Sequence, residues 1–188
     1  MSFDTPGYPF TFVEKRPAVP GGPVLYTLVY SFRSAVTKLR YTFLDEYHEL
    51  DIFAVKFYCH AHRLSERRYN IIVDRGDAFR IIRTALEVTI AILEDHPSAS
   101  FGFVGSRSID KDDNVEGYRL TQRYRIYRWL VNVLLGHETF QHYEFDAISA
   151  YLLVNRAHAD VDAAKERFVR MFSDTYGGIH DLGEAHSG

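Results

Sequence analysis

Apolar positions recur with a period of two through the first third of the chain. Val24, Tyr26, Leu28, Tyr30 and Phe32 share one face of a segment over 24–32, and Leu39, Tyr41 and Phe43 repeat the pattern. Over 52–62, Phe53, Val55, Phe57 and Cys59 alternate with Lys56, Tyr58, His60 and His62. Such alternation marks half-buried strands, because successive side chains of an extended chain point to opposite faces. A shorter strand is expected at 9–14, set off by the turn-forming cluster Pro17, Pro20, Gly21, Gly22 and Pro23. The pattern predicts an antiparallel meander with one face in water. A further short strand is expected at 69–73.

The period changes at Asp77, a good helix N-cap. At 100° per residue, Phe79, Ile81, Ile82, Leu86, Val88, Ile90, Ile92 and Leu93 cover more than half the circumference. Arg80, Arg83, Glu87 and Glu94 form a narrow polar stripe, in which Arg83 and Glu87 stand at i,i+4 and can pair. His96-Pro97 ends this helix. A short strand is expected at 101–105 and a polar loop at 106–113. Asp113 and Glu116 match a capping box, which predicts a second helix over 115–135 with Gly136 as its stop. Its apolar face holds Leu120, Tyr124, Tyr127, Val131, Leu134 and Leu135. One or two strands are expected within 140–154 and a third helix over 157–176. Strands first, then helices alternating with strands, predict an α+β class: a curved, mainly antiparallel sheet with two to three helices packed on one face. Residues 1–176 are expected to form a single domain, and the Gly- and His-containing segment 177–188 a flexible tail.

Composition changes this picture little. The chain has 188 residues, 46% of them hydrophobic, enough to bury a core without disulfides or metal. Its single cysteine, Cys59, excludes an internal disulfide and a cysteine-based zinc cage, and fits a reducing, cytoplasmic compartment. Cys59 falls on the apolar face of its strand, which predicts a buried, inert thiol. No apolar run approaches the length that spans a membrane, and residues 1–9 do not read as a signal peptide. The net charge of −3 is unevenly spread: residues 63–128 hold twelve basic and ten acidic side chains, and residues 129–188 four and nine. The basic residues are mostly Arg, whose rigid fork suits carboxylates, phosphates and aromatic faces.

The most unusual stretch is 118–129, with four Arg and four aromatics in twelve residues. Placed on a helix, Arg125, Arg128, Thr121 and Asn132 fall in one polar stripe bordered by Trp129 and Tyr118. Such a stripe can stack bases and hold phosphates, or can simply be a solvated helix face. Arg123 falls in the apolar sector, where it must be paired or reach a polar pocket; one reading is a tie to a carboxylate on the sheet. Upstream, Gly102, Gly105, Ser106 and Ser108 could turn backbone amides toward an anion, and with Arg107 and Arg119 the loop would feed the Arg-rich helix. The candidate ligand-binding set is therefore Arg107, Arg119, Arg123, Arg125, Arg128, Tyr118 and Trp129.

Other constellations are thinner. His60 and His62 stand two apart on one strand face and could both touch a metal, but no spacing supplies a third ligand, so no metal or cofactor is expected. Asp110, Asp112, Asn114 and Glu116 fail the calcium-loop pattern, with Val115 and Thr121 where Gly and Glu are required. Glu144 and Asp146 share a strand face. No phosphate-binding, nucleophile-elbow or zinc-protease motif is present.

The meander, the apolar helix, the short strand and the run Arg123-x-Arg125-x-Tyr127-Arg128-Trp129 together resemble small uncharacterised proteins of Bacteroidetes-type bacteria that carry a domain of unknown function. The resemblance spans residues 8–135 and implies no catalytic residues. Two functions of different class follow from the residues themselves. The first is a non-enzymatic binding or interaction protein, homodimeric through an Arg- and aromatic-rich surface. The alternative is a nucleic-acid or nucleotide-binding protein, including a processing enzyme, that uses the helix at 118–129. An enzyme with dispersed residues drawn from His60, His62, Glu144 and Asp146 is a third option.

Overall fold

The computed structural model describes residues 5–71, 76–109 and 114–176, together with the backbone of 186–187. The expected meander is present, but its expected wet face is not: consecutive residues 41–45 and 52–55 are buried, so both faces are covered there. Strands β1 (Phe10–Pro17), β2 (Val24–Arg33), β3 (Arg40–His48) and β4 (Ile52–Cys59) pair antiparallel in chain order. Helix α1 (Ala78–Asp95) then crosses over to β5 (Ser100–Val104), which lies parallel to β4. Helix α2 (Gln122–Leu134) leads to the hairpin β6 (Phe140–Phe145) and β7 (Ala150–Asn155), and β7 pairs antiparallel with β5. Helix α3 (Val161–Tyr176) follows, and the backbone of β8 (His186–Ser187) lies beside β6. The sheet order is β1-β2-β3-β4-β5-β7-β6-β8, mixed but mostly antiparallel, and the class is α+β. The expected tail lies outside the described residues apart from that two-residue backbone.

Two faces of the sheet carry two cores. Phe43, Phe53, Val55, Phe101, Phe103, Tyr151 and Leu153 face α1 and α2, meeting Ile82, Leu86, Ile92, Tyr124, Tyr127 and Leu130. Their chain neighbours Ile52, Leu152 and Val154 point the other way and pack with Tyr143 and Phe145 under Ala164 and Phe168 of α3. Alternation along each strand makes both layers from one set of strands. Two helices thus share one face, as the order of elements predicted, but the third covers the opposite face, so the helices are not all on one side. The hairpin β6–β7 is buried on both sides, so it must be roofed twice.

Local chemistry accounts for most boundaries. Asp77 is the N-cap residue of α1, but its carboxylate does not bond the helix amides; it accepts hydrogen bonds from the Tyr8 hydroxyl at 2.7 Å and from the Ser34 hydroxyl. Arg83 pairs with Glu87 at 3.0 Å, as their spacing allows. The expected helix at 115–135 begins seven residues late, at Gln122. Residues before it are held by the β6–β7 turn instead. The Leu120 amide donates to the Asp146 carbonyl and the Thr121 amide to Ser149 Oγ at 2.9 Å, which leaves Leu120 at φ 53° and outside any helix. Thr121 is the true N-cap, accepting from the Tyr124 amide at 3.3 Å. The expected Asp113 cap lies outside the described residues; Glu116 accepts instead from the amides of Ser108 and Gln122. The segment expected as a strand at 69–73 is turn at Tyr69 and Asn70, with a single bridge from Ile71 to Ile109; 72 and 73 lie outside the described residues. α3 starts at Val161, four residues after the expected start, where Asp160 accepts from the Ala163 amide at 2.9 Å.

Candidate functional site

β4 and β5 run side by side only from Ile52 to Val55 and from Ser100 to Phe103. Beyond that the two parallel strands part. β4 continues to Cys59 with β3 as its partner, while β5 ends and the chain passes beneath α2. Gly105 makes this departure possible, since a Cβ there would lie 2.6 Å from Tyr124 Cβ and 2.7 Å from Thr121 Oγ1. The Gly105 carbonyl accepts from the Thr121 hydroxyl at 2.7 Å, so the start of α2 sits on the end of β5. In sheets with parallel strands, the crevice outside diverging carboxyl ends is the usual place for a ligand.

Here that crevice is a cavity of about 400 Å³. Lys56 and Phe57 of β4 form one wall and Phe103, Val104 and Ser106 the other. From the α3 side it is closed by Val169, Phe172 and Tyr176, and from the α2 side by Tyr127 and Arg123 with Tyr69 and Asn70. Gly102 on β5 lets the tip of the Phe172 ring approach the sheet; a Cβ would stand 2.4 Å from its Cζ. The size and the mainly apolar lining with a few polar groups match small-molecule sites.

The polar groups fall in two places. At the α3 end, Lys56 Nζ pairs with Glu46 Oε2 at 2.5 Å and sits 4.1 Å above the Tyr176 ring. The Tyr176 hydroxyl donates to the same Glu46 oxygen at 2.6 Å and lies 2.7 Å from His48 Nε2. With its one proton committed to Glu46, the hydroxyl must accept from His48, which fixes the proton of His48 on Nε2. Burial pushes the His48 pKa down, and Glu46 and the Pro23 carbonyl pull it back only in part. Burial, then Glu46, pushes the Tyr176 phenol up. Lysine and glutamate neutralise each other, while His48 Nδ1 is buried without a hydrogen-bond partner among the described residues.

At the α2 end stands Arg123. Its guanidinium donates to the Tyr69 carbonyl and, at 3.0 Å, to the Ile71 carbonyl. The expected tie to a carboxylate on the sheet is not made: among the described residues no carboxylate lies within ion-pair distance of it. Burial lowers its pKa, with Tyr127, Glu116 and Tyr41 acting weakly in the other direction. A cation here has two neutral carbonyls as partners and a cavity beside it.

The rest of the sequence-predicted set does not converge on the cleft. Arg107 donates to the Glu116 carbonyl at 2.6 Å and stacks 3.9 Å over the ring of Tyr118, which is exposed. Arg119 is exposed on the segment before the helix. Arg125, Arg128 and Trp129 do meet, with Asn132 and Val133, in a shallow groove on the outer side of α2. Arg128 is held there by Glu144 at 2.9 Å and Asp146 at 3.8 Å, while Trp129 leans on Phe79 with ring centres 5.5 Å apart. Thr121, expected in that stripe, is buried as the N-cap. The loop amides expected to face an anion are occupied: Gly105 bonds Ser149, Ser106 bonds Val104 and Ser108 bonds Glu116. His60 and His62 lie beyond the end of β4 in a turn of 3-10 helix rather than on one strand face, and no group of three metal-ligating side chains exists among the described residues. Cys59 is buried, as expected.

Lys56, Phe172 and Tyr176 were not singled out by sequence reasoning. The available signal was a strand, a long apolar helix and a second short strand over 52–104, the pattern of a parallel crossover whose switch point opens a crevice. No helix among the described residues is long and apolar enough to cross a membrane. Compared with family models, curated proteins and solved structures, the chain matches none.

Proposed function

We propose that the protein binds a small, largely apolar molecule in the cleft where β4 and β5 part. The observation that carries this reading is the cavity of about 400 Å³, lined mainly by aromatic and aliphatic side chains and roofed by the last turns of α3. A void of that size and lining has no counterpart in ordinary core packing, which leaves few gaps larger than a water molecule. Lys56, Glu46, Tyr176 and His48 Nε2 bond one another at its edge. They tie the end of α3 to the meander and serve as a latch.

N-phenylnaphthylamine, an uncharged probe whose emission rises in apolar sites, tests the reading. Saturable binding of one probe per chain is expected. Val169→Trp, which fills the cleft from a half-buried helix position, abolishes that binding while its cooperative thermal melting is retained. Equal binding by wild type and Val169→Trp would place the probe elsewhere and sink the proposal. The nucleic-acid reading of α2 draws less support, because Glu144 and Asp146 place two carboxylates against Arg128, at the centre of the stripe that would meet phosphate.

A further inference from the structure

We infer that the molecule taken by this cleft is an amphipathic carboxylate, with its apolar body between Phe103 and Phe172 and its anionic head on Arg123. This rests on the cleft being a binding site, and adds the chemical class of its ligand. Three observations point the same way. Arg123 lines the cleft on a helix whose inward face is otherwise apolar, with Tyr124, Tyr127, Leu130 and Val131 buried around it. Its hydrogen bonds go to two backbone carbonyls, which hold it in place without compensating its charge. A guanidinium has five N–H donors in a planar fork, so donors remain for a carboxylate. A half-buried cation without a counterion is poorly compensated, and the cleft beside it is the space from which a counterion can come.

The second cation at the cleft does not compete for this role. Lys56 already has Glu46 at 2.5 Å, and the Tyr176 hydroxyl donates to that same oxygen. An anionic head at that end would meet a carboxylate already in place. The two ends of the cleft are therefore unlike: one is electrically closed, the other carries an open positive charge. A ligand with one charged end has one orientation, head toward α2 and body toward α3.

Displacement of bound N-phenylnaphthylamine by decanoate and by decanol tests this, since the pair share a chain and differ at the head. Decanoate is expected to displace the probe at a concentration lower by about tenfold or more, the worth of one charge-assisted bond. Arg123→Gln is expected to lose that preference while still binding the probe, and Lys56→Met to keep it. Decanol matching or exceeding decanoate on the wild-type protein overturns the inference. So does a preference that survives Arg123→Gln. If Arg123→Gln no longer melts cooperatively, Arg123→Lys takes its place: loss of the fork is expected to cut the preference at least threefold, and an unchanged preference overturns the inference. Failure of the probe to bind wild type at all is a different result, since it removes the cleft as a site. Probe binding with no carboxylate preference leaves the cleft and removes only the head group.

Discussion

Asp45 offers the sharpest test of how the core is built. It lies on β3 between Leu28 and Val55, on the face covered by α1 and α2, and is fully buried. Neither carboxyl oxygen has a hydrogen-bond partner among the described residues. Burial, and after it the charge of Glu46, raises its pKa well above the ordinary carboxylate range. The fold therefore holds a proton that the unfolded chain releases above about pH 3.9. A raised carboxylate pKa makes the group least harmful at acid pH, and its cost grows as pH climbs through that window toward the folded value. Asp45→Val keeps a similar shape and removes the unpaired group. A buried polar group left unpaired costs about 1–3 kcal/mol, so the variant is expected to be more stable by about that much near neutral pH. For a chain of this length each kcal/mol moves Tm by about 2–4 °C, which makes the rise about 2–12 °C. Calorimetric melts of both proteins at about pH 4 and about pH 8 read the effect, with the larger gain at the higher pH. A loss of stability at both values, or a gain that does not change with pH, refutes the assignment of Asp45 as an unpaired buried acid.

Further substitutions probe the elements that frame the cleft. Gly102→Ala forces Phe172 off the sheet and is expected to cost about 1–3 kcal/mol by urea unfolding, with weaker probe binding. Thr121→Ala removes the α2 cap and the bond to the Gly105 carbonyl, and is expected to cost about 1–2 kcal/mol in the same assay. Tyr176→Phe breaks the latch to Glu46 and His48 and is expected to lower stability by about 1 kcal/mol and to speed probe release in stopped-flow measurements.

What could be read from the chain alone follows the range of the forces involved. The meander was legible because period-two patterning is local, although consecutive residues of β3 and β4 are buried on both faces. α1 was legible from Asp77 to His96 because its apolar sector lies within its own residues, although the Asp77 carboxylate is held by Tyr8 and Ser34 rather than capping the helix. The start of α2 was not, because Leu120 and Thr121 are held by Asp146 and Ser149, more than twenty residues away. The same limit hid the site. Arg123 stood out as an arginine on an apolar face, but its partners are the carbonyls of Tyr69 and Ile71, and backbone groups carry no sequence signature. The cleft arises from the parting of β4 and β5 and from α3 crossing the opposite face, both of which are properties of long-range pairing. His60 and His62 failed as a pair for a smaller reason: β4 ends at Cys59 and the alternation ends with it.

A crystal structure of the protein with decanoate would show where the head group lies. The chain is expected between Phe103 and Phe172, with the carboxylate within hydrogen-bonding distance of the Arg123 guanidinium. Decanoate bound with its carboxylate at Lys56, or found only in the outer groove beside Trp129, would contradict that placement.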